Sequence, residues 1–102
     1  MPIEFGTYMT MSPNRRYDER AGFVELLHPR FTTLWFPDHP QYDIFEAWTA
    51  ATYVAARLPR FKVGTLVMSQ SYRNPGLLAK MGATLQKLSG GRLIMGLGAG
   101  WE

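Results

Sequence analysis

The sequence predicts an α/β fold in which parallel strands alternate with helices, and three observations carry this. Apolar and aromatic runs of strand length alternate with segments of helical periodicity, in the order β-α-β-α-β-α-β. The second, third and fourth β-type runs are almost continuously apolar, the pattern of parallel strands covered by helices. The alternation repeats roughly every thirty residues, the length of one strand-helix unit rather than of a solenoid repeat.

Each element has a local reason. Ile3 to Met9 is a short apolar and aromatic run, the first strand, and Thr10 to Arg16 (TMSPNRR) has loop composition. A helix is expected from about Asp18 to Leu27, apolar at Phe23, Leu26 and Leu27 and stopped by Pro29. Phe31 to Phe36 is the second strand, ended by Pro37, Asp38, His39 and Pro40. In the second helix Asp43 is the expected cap, with Glu46 at capping-box spacing. Ile44, Trp48, Ala51, Ala55 and Leu58 then line one face until Pro59. Phe61 to Met68 is the third strand. Asn74 and Pro75 open the third helix as cap and first-turn proline, and its buried face is Leu77 or Leu78, Met81, Leu85 and Leu88. Gly90-Gly91 supplies the left-handed exit, and Leu93 to Leu97 is the fourth strand.

At 102 residues the chain is one domain at most, and with 46% hydrophobic residues it is not disordered by composition. Its net charge of +3 comes from scattered Lys and Arg with Arg15-Arg16 the densest pair, so no nucleic-acid partner is expected. The absence of cysteine excludes disulfides, thiolate metal sites and Cys nucleophiles, and it fits a cytoplasmic protein. MPIEFGTYM lacks the basic, apolar and cleavage regions of a signal peptide. No apolar run approaches the roughly eighteen residues of a membrane span, so no membrane partner is expected.

Chemistry concentrates at the strand ends. In parallel α/β folds the C-terminal ends of strands face a common crevice. There Tyr8-Met9, Asp38-His39, Met68-Ser69 and the segment from Gly98 to Trp101 would converge. His39 is a candidate for proton transfer, with a nearby carboxylate to fix its tautomer. The structural alternative is that Asp38 caps a turn and His39 is a loop residue. Gly96, Gly98 and Gly100 follow a strand as G-x-G-x-G, which is not the G-x-G-x-x-G of a dinucleotide loop, and no P-loop lysine follows. They either admit a ligand to the backbone or let a crowded mouth close. His28, at a helix end before Pro29, receives no function. Two histidines without ligand spacing predict no metal site, and no G-x-S-x-G elbow is present.

From Phe45 onward the chain reads FEAWTAATYVAARLPRFKVGTLVMSQSYRNPGLLAKMGATLQKLSGGRLIMGLGAGWE, preceded by LWFPDH. The Asp-His after strand two, E-A-W-T, G-T-L-V, Y-R-N-P, L-L-A-K-M, T-L-x-x-L-S-G-G-R and the closing glycine motif resemble, in order and spacing, the N-terminal half of the luciferase-like monooxygenase family. The resemblance is strongest to its coenzyme F-420-dependent branch. It implies a (β/α)8 barrel, of which this chain holds the first four strands and three helices. It also implies a deazaflavin cofactor, F-420, with FMN as the alternative, and hydride exchange with a small organic substrate.

Carried residue by residue, the resemblance makes His39, with Asp38, the catalytic pair. A third-strand bulge with a non-prolyl cis peptide near Leu66-Val67, flanked by Met68 and Ser69, is implied to back the cofactor ring. Gly98 and Gly100 are implied to meet it with backbone. Glu102 is a further candidate carboxylate, with Trp101 standing where some members carry theirs. The chain departs from the family at His28-Pro29-Arg30, where a glycine is usual, and at Pro40, where Phe is usual. These departures bear on what the resemblance implies for the substrate pocket, not on the fold it implies. The remaining barrel units and the phosphate-binding elements are expected outside these residues. The chain is thus expected to be a single partial domain, a fragment that is not an efficient enzyme alone. The alternatives are an FMN-dependent monooxygenase of the same family, or a non-catalytic half-barrel that pairs through its open edges into a homo-oligomer.

Overall fold

A computed structural model of the chain describes residues 2–14 and 16–100. Along it run β1 (Phe5–Tyr8), α1 (Tyr17–Glu25), β2 (Phe31–Phe36), α2 (Ala47–Arg57), β3 (Lys62–Thr65), β4 (Met68–Ser69), α3 (Pro75–Leu88), β5 (Leu93–Ile94) and β6 (Leu97–Gly98). β1, β2, β3 and β5 form one parallel sheet in chain order, and β4 pairs in parallel with β6. A doubly wound sheet reverses its strand order at a switch point, whereas this sheet adds each strand beside the last. That is the topology of a (β/α)8 barrel, of which these residues build four strand positions and three helices.

The helix ends show where local rules held and where tertiary contacts overrode them. Asn74 caps α3 as expected, its side chain accepting from the amides of Gly76 and Leu77 at 2.9 and 3.1 Å, with Pro75 in the first turn. Gly90 and Gly91 make the exit with φ of 69° and 85°. At α2 the cap is Glu46, not Asp43. Residues 40–44 are committed to turns and bends, and the amide of Phe45 donates to Met11 O at 2.7 Å, so Ile44 stays outside the helix. Asp43 accepts from the Asn14 side chain instead. On α1 the buried position is Val24, supported by Tyr17 and Ala21 at helical spacing. Phe23 and Leu26, expected to face inward, are 61% and 82% exposed, because they lie on the opposite arc. On α3, Leu78 and Leu85 are buried, while Leu77 and Leu88 are exposed.

The core lies between the sheet and the helices. Leu34, Phe36 and Val63 meet Ala51, Val54, Ala55 and Leu58 of α2, and each fully buried Leu or Val stabilises by about 1.5–3 kcal/mol. Arg92 closes the far end of α2. Its guanidinium donates to the carbonyls of Ala55, an acceptor that the helix end leaves free, and of Phe61 in the loop beyond, at 2.8 and 2.7 Å.

Strand alternation turns Trp35 to the other face, the barrel interior, in register with Tyr8, Gly64 and Ile94. The indole lies flat across two neighbouring strands because Gly6 and Gly64 carry no side chain there; a Cβ on either would overlap the ring. Gly64→Ala is therefore expected to destabilise the fold by about 1–3 kcal/mol in chemical unfolding. Adding Trp35→Leu should recover most of that loss. Simple additivity of the two changes would contradict this packing account.

Candidate functional site

The expected third strand, Phe61 to Met68, is two pieces. β3 ends at Thr65, β4 begins at Met68, and the Leu66–Val67 peptide between them is cis. The expected fourth strand, Leu93 to Leu97, is divided likewise into β5 and β6. Both breaks meet at one joint. The buried Thr65 hydroxyl donates to Gly96 O at 2.8 Å and accepts from the Gly96 amide at 3.0 Å. The Met68 amide donates to the same carbonyl at 2.8 Å. A Cβ on Gly96 would overlap the Thr65 carbonyl, so this close approach requires glycine.

Beyond the joint, at the C-terminal ends of the strands, a cavity of about 340 Å³ opens. Leu66 and Val67 form one wall, held 41% and 42% exposed despite being apolar. Gly98, Ala99 and Gly100 form a second wall of nearly bare backbone. Val67 lies against Gly98, where a Cβ would come within 2.6 Å of Val67 Cγ2, and Gly100 has a φ of +87°. Asp38 and His39 enter from the loop after β2, Ser69 from the end of β4 and Tyr72 from the loop after it. One cavity thus gathers Asp38, His39, Leu66, Val67, Ser69, Gly98 and Gly100. Met68 is the exception: the pleat turns it opposite to Val67 and Ser69, and its side chain is fully buried in the core. Trp101 and Glu102 lie outside the described residues. A larger apolar groove of about 510 Å³, lined by Met11, Tyr17, Phe45 and Tyr53 among others, contains none of the expected catalytic or cofactor residues.

The Asp38 side chain is 1% exposed and belongs to a charged cluster. Its Oδ2 accepts from the Ser69 amide at 2.8 Å and from Arg73 Nη1 at 2.8 Å, and its Oδ1 accepts from Arg73 Nη2 at 3.1 Å. Arg73 Nη2 also donates to Glu46 Oε2. Glu46 in turn accepts from the Trp48 and Thr49 amides at 2.8 and 2.9 Å and from the Thr49 hydroxyl. Burial works against the ionised Glu46, but these donors outweigh it and hold its pKa down to about 2 from 4.5. The hydrogen bonds to Asp38 raise Arg73 above its ordinary value against a smaller opposing effect of burial. Removing one partner of a buried pair such as Asp38–Arg73 costs about 3–5 kcal/mol. His39 sits beside this cluster, its Nδ1 buried and its ring 5.3 Å from the Tyr42 ring.

Sequence reasoning missed Arg73, Tyr72 and the second role of Glu46. Arg73 and Glu46 stand within the motifs Y-R-N-P and E-A-W-T, but the pairs span 35 and 27 residues, which no local spacing reveals.

Residues 15–102 match the luciferase-like monooxygenase family. The chain belongs to that family. A phthiodiolone/phenolphthiodiolone dimycocerosates ketoreductase of Mycobacterium sp. strain JLS is 30% identical over 79% of this chain and 28% of its own length. The coenzyme F-420-dependent tetrahydromethanopterin reductase of Methanopyrus kandleri superposes with a TM-score of 0.78 at 25% identity, over 99% of this chain and 28% of that one. The oxygenating constituent of 3,6-diketocamphane monooxygenase from Pseudomonas putida, solved with FMN, gives 0.76 at 19% identity, over 99% and 30%, a likeness of fold. The chain spans less than a third of each of these proteins. Among the described residues no helix is long and apolar enough to cross a membrane.

The lowered Glu46 pKa carries a sign. A carboxylate more acidic in the folded state stabilises fully above its unfolded value near 4.5, and that contribution is lost as pH falls through about 2. Thermal unfolding across this acid range should show a steeper loss for the native sequence than for Glu46→Gln. Parallel acid curves would contradict the assignment.

Proposed function

We propose that this chain forms the ring-binding part of an oxidoreductase that exchanges a hydride between coenzyme F-420 and a small organic substrate. One observation carries the reading: Leu66 and Val67 are held out of the core against a glycine wall, in a cavity that also contains His39. The fit to a flat heterocycle is physical. The cavity volume of about 340 Å³ lies within the roughly 300–1,000 Å³ of small-molecule sites. Its walls pair apolar side chains with backbone that a ring can approach closely. Leu66, Val67 and Ser69 would back the ring, and Gly98 to Gly100 would meet it with main chain.

A bound deazaflavin supplies the hydride chemistry. The chain's own residues position and protonate. His39 gives or takes the proton that accompanies hydride transfer, at a substrate heteroatom, a role that an imidazole with one donor and one acceptor nitrogen suits. Asp38 holds the loop that presents His39, and the apolar wall excludes water from the reacting face. F-420 is favoured by the likeness to the Methanopyrus reductase, which covers nearly the whole chain at 25% identity. The second reading is an FMN-dependent monooxygenase, favoured by the shared fold of the camphane enzyme.

Fluorescence titration of the protein carrying this chain with F-420 and with FMN decides between the readings. Tighter binding of F-420 is expected. Binding of neither overturns the proposal. In His39→Ala, oxidation of reduced F-420 by ketone acceptors, the class named for the mycobacterial relative, should slow by about 10²–10⁴-fold with cofactor affinity little changed. An equal loss in both would make His39 a binding residue instead.

A further inference from the structure

The side-chain hydrogen bonds of Arg73 go to Asp38 and Glu46, and through them it holds the loops that carry His39 and the cavity wall. Asp38 immediately precedes His39, and Tyr72 immediately precedes Arg73; Asp38, His39 and Tyr72 all line the cavity. The guanidinium engages both oxygens of Asp38 as a planar fork, at 2.8 and 3.1 Å, and Asp38 Oδ2 also accepts the Ser69 amide from the adjoining wall. A third contact reaches Glu46, whose carboxylate is fixed to the first turn of α2 by two amides. One side chain therefore links the loop after β2, the loop after β4 and the N-terminus of α2.

Two alternatives to a geometric role are weak. Arg73 is a poor anchor for an anionic substrate, because it is only 14% exposed and two carboxylates already flank it, leaving the cluster with a net negative charge. A point charge would not serve equally well, because a bidentate fork fixes orientation and a lysine ammonium does not.

We propose that Arg73 is a positioning residue: forked to Asp38 and braced on Glu46, it sets the separation of the two loops that wall the cavity. It thereby governs how tightly a cofactor ring is held and how His39 is presented. The consequence for ring binding rests on the cofactor reading given above; the spacing of the loops does not.

The test compares the native sequence with Arg73→Lys, which keeps the charge and loses the fork, in the protein carrying this chain. Three readouts are followed: hydrogen exchange of the Ser69 amide, the NMR resonances of the His39 ring, and the dissociation constants for F-420 and FMN. Thermal unfolding checks that the variant is folded. Arg73→Lys should remain cooperatively folded, exchange the Ser69 amide faster, shift the His39 resonances, and bind cofactor about tenfold or more weakly. A lower melting temperature with Ser69 exchange, His39 resonances and cofactor affinity all native would reduce Arg73 to a stabilising residue and overturn the proposal. Where the native protein binds neither cofactor, the cofactor reading fails on its own. The positioning role is then decided by Ser69 and His39: a change in Arg73→Lys supports it, and no change overturns it.

Discussion

The cavity depends on the joint between Thr65 and Gly96. A parallel ladder running straight through Leu66 and Val67 would send those side chains alternately into the core and into the barrel interior. The Thr65 hydroxyl instead takes both polar groups of Gly96, so the ladder stops at Gly64 and Ile94 and resumes at Met68 and Leu97, past residues 65–67 on one strand and 95–96 on the other. The amides of Leu66, Met68 and Gly96 all keep acceptors at the break, which helps make an interruption inside a buried sheet tolerable. Two apolar residues are released from the core and line the cavity. Local order in the sheet is exchanged for a shaped surface at the strand ends, where an α/β fold places its chemistry.

The charged cluster extends this constraint outward. Glu46 satisfies the first amides of α2 and meets Arg73, and Arg73 meets Asp38, so the cap of one helix is mechanically part of the cavity wall. Glu is not among the favoured N-cap residues, and its presence here follows from the second contact that its longer side chain can reach. The near-complete burial of Asp38 is tolerable for the same reason, since its charge is met by a guanidinium and a backbone amide. A cluster of this kind favours one arrangement of the loops, which a site that must hold a flat ring requires.

Much of this was legible in the sequence, and the gaps have physical causes. The extent of β2, the Asn74-Pro75 start of α3 and its Gly90-Gly91 exit follow from local rules, and the structure keeps them. The cis peptide at Leu66–Val67 came from the family resemblance, because nothing in the composition of GTLVMS distinguishes a break from a continuous strand. Asp43 met the rule for a cap, but the contact between Phe45 and Met11 across the fold commits its segment to a turn. Phe23 and Leu26 looked like core by residue type, yet the orientation of α1 is set by Val24, Ala21 and Tyr17. Met68 was grouped with its neighbours by position, and strand alternation separates it from them. Arg73 escaped notice because its partners are remote in sequence, and only the folded topology brings them together.

The central claim is that the cavity between Leu66–Val67 and Gly98–Gly100 receives a cofactor ring. The most direct measurement is a crystal structure of the protein carrying this chain, grown with F-420 or FMN. The account predicts ring density against the Leu66–Val67 peptide and the backbone of Gly98 to Gly100, with His39 at its edge. Ring density in the apolar groove lined by Tyr17, Phe45 and Tyr53, with the strand-end cavity filled by solvent, would contradict it.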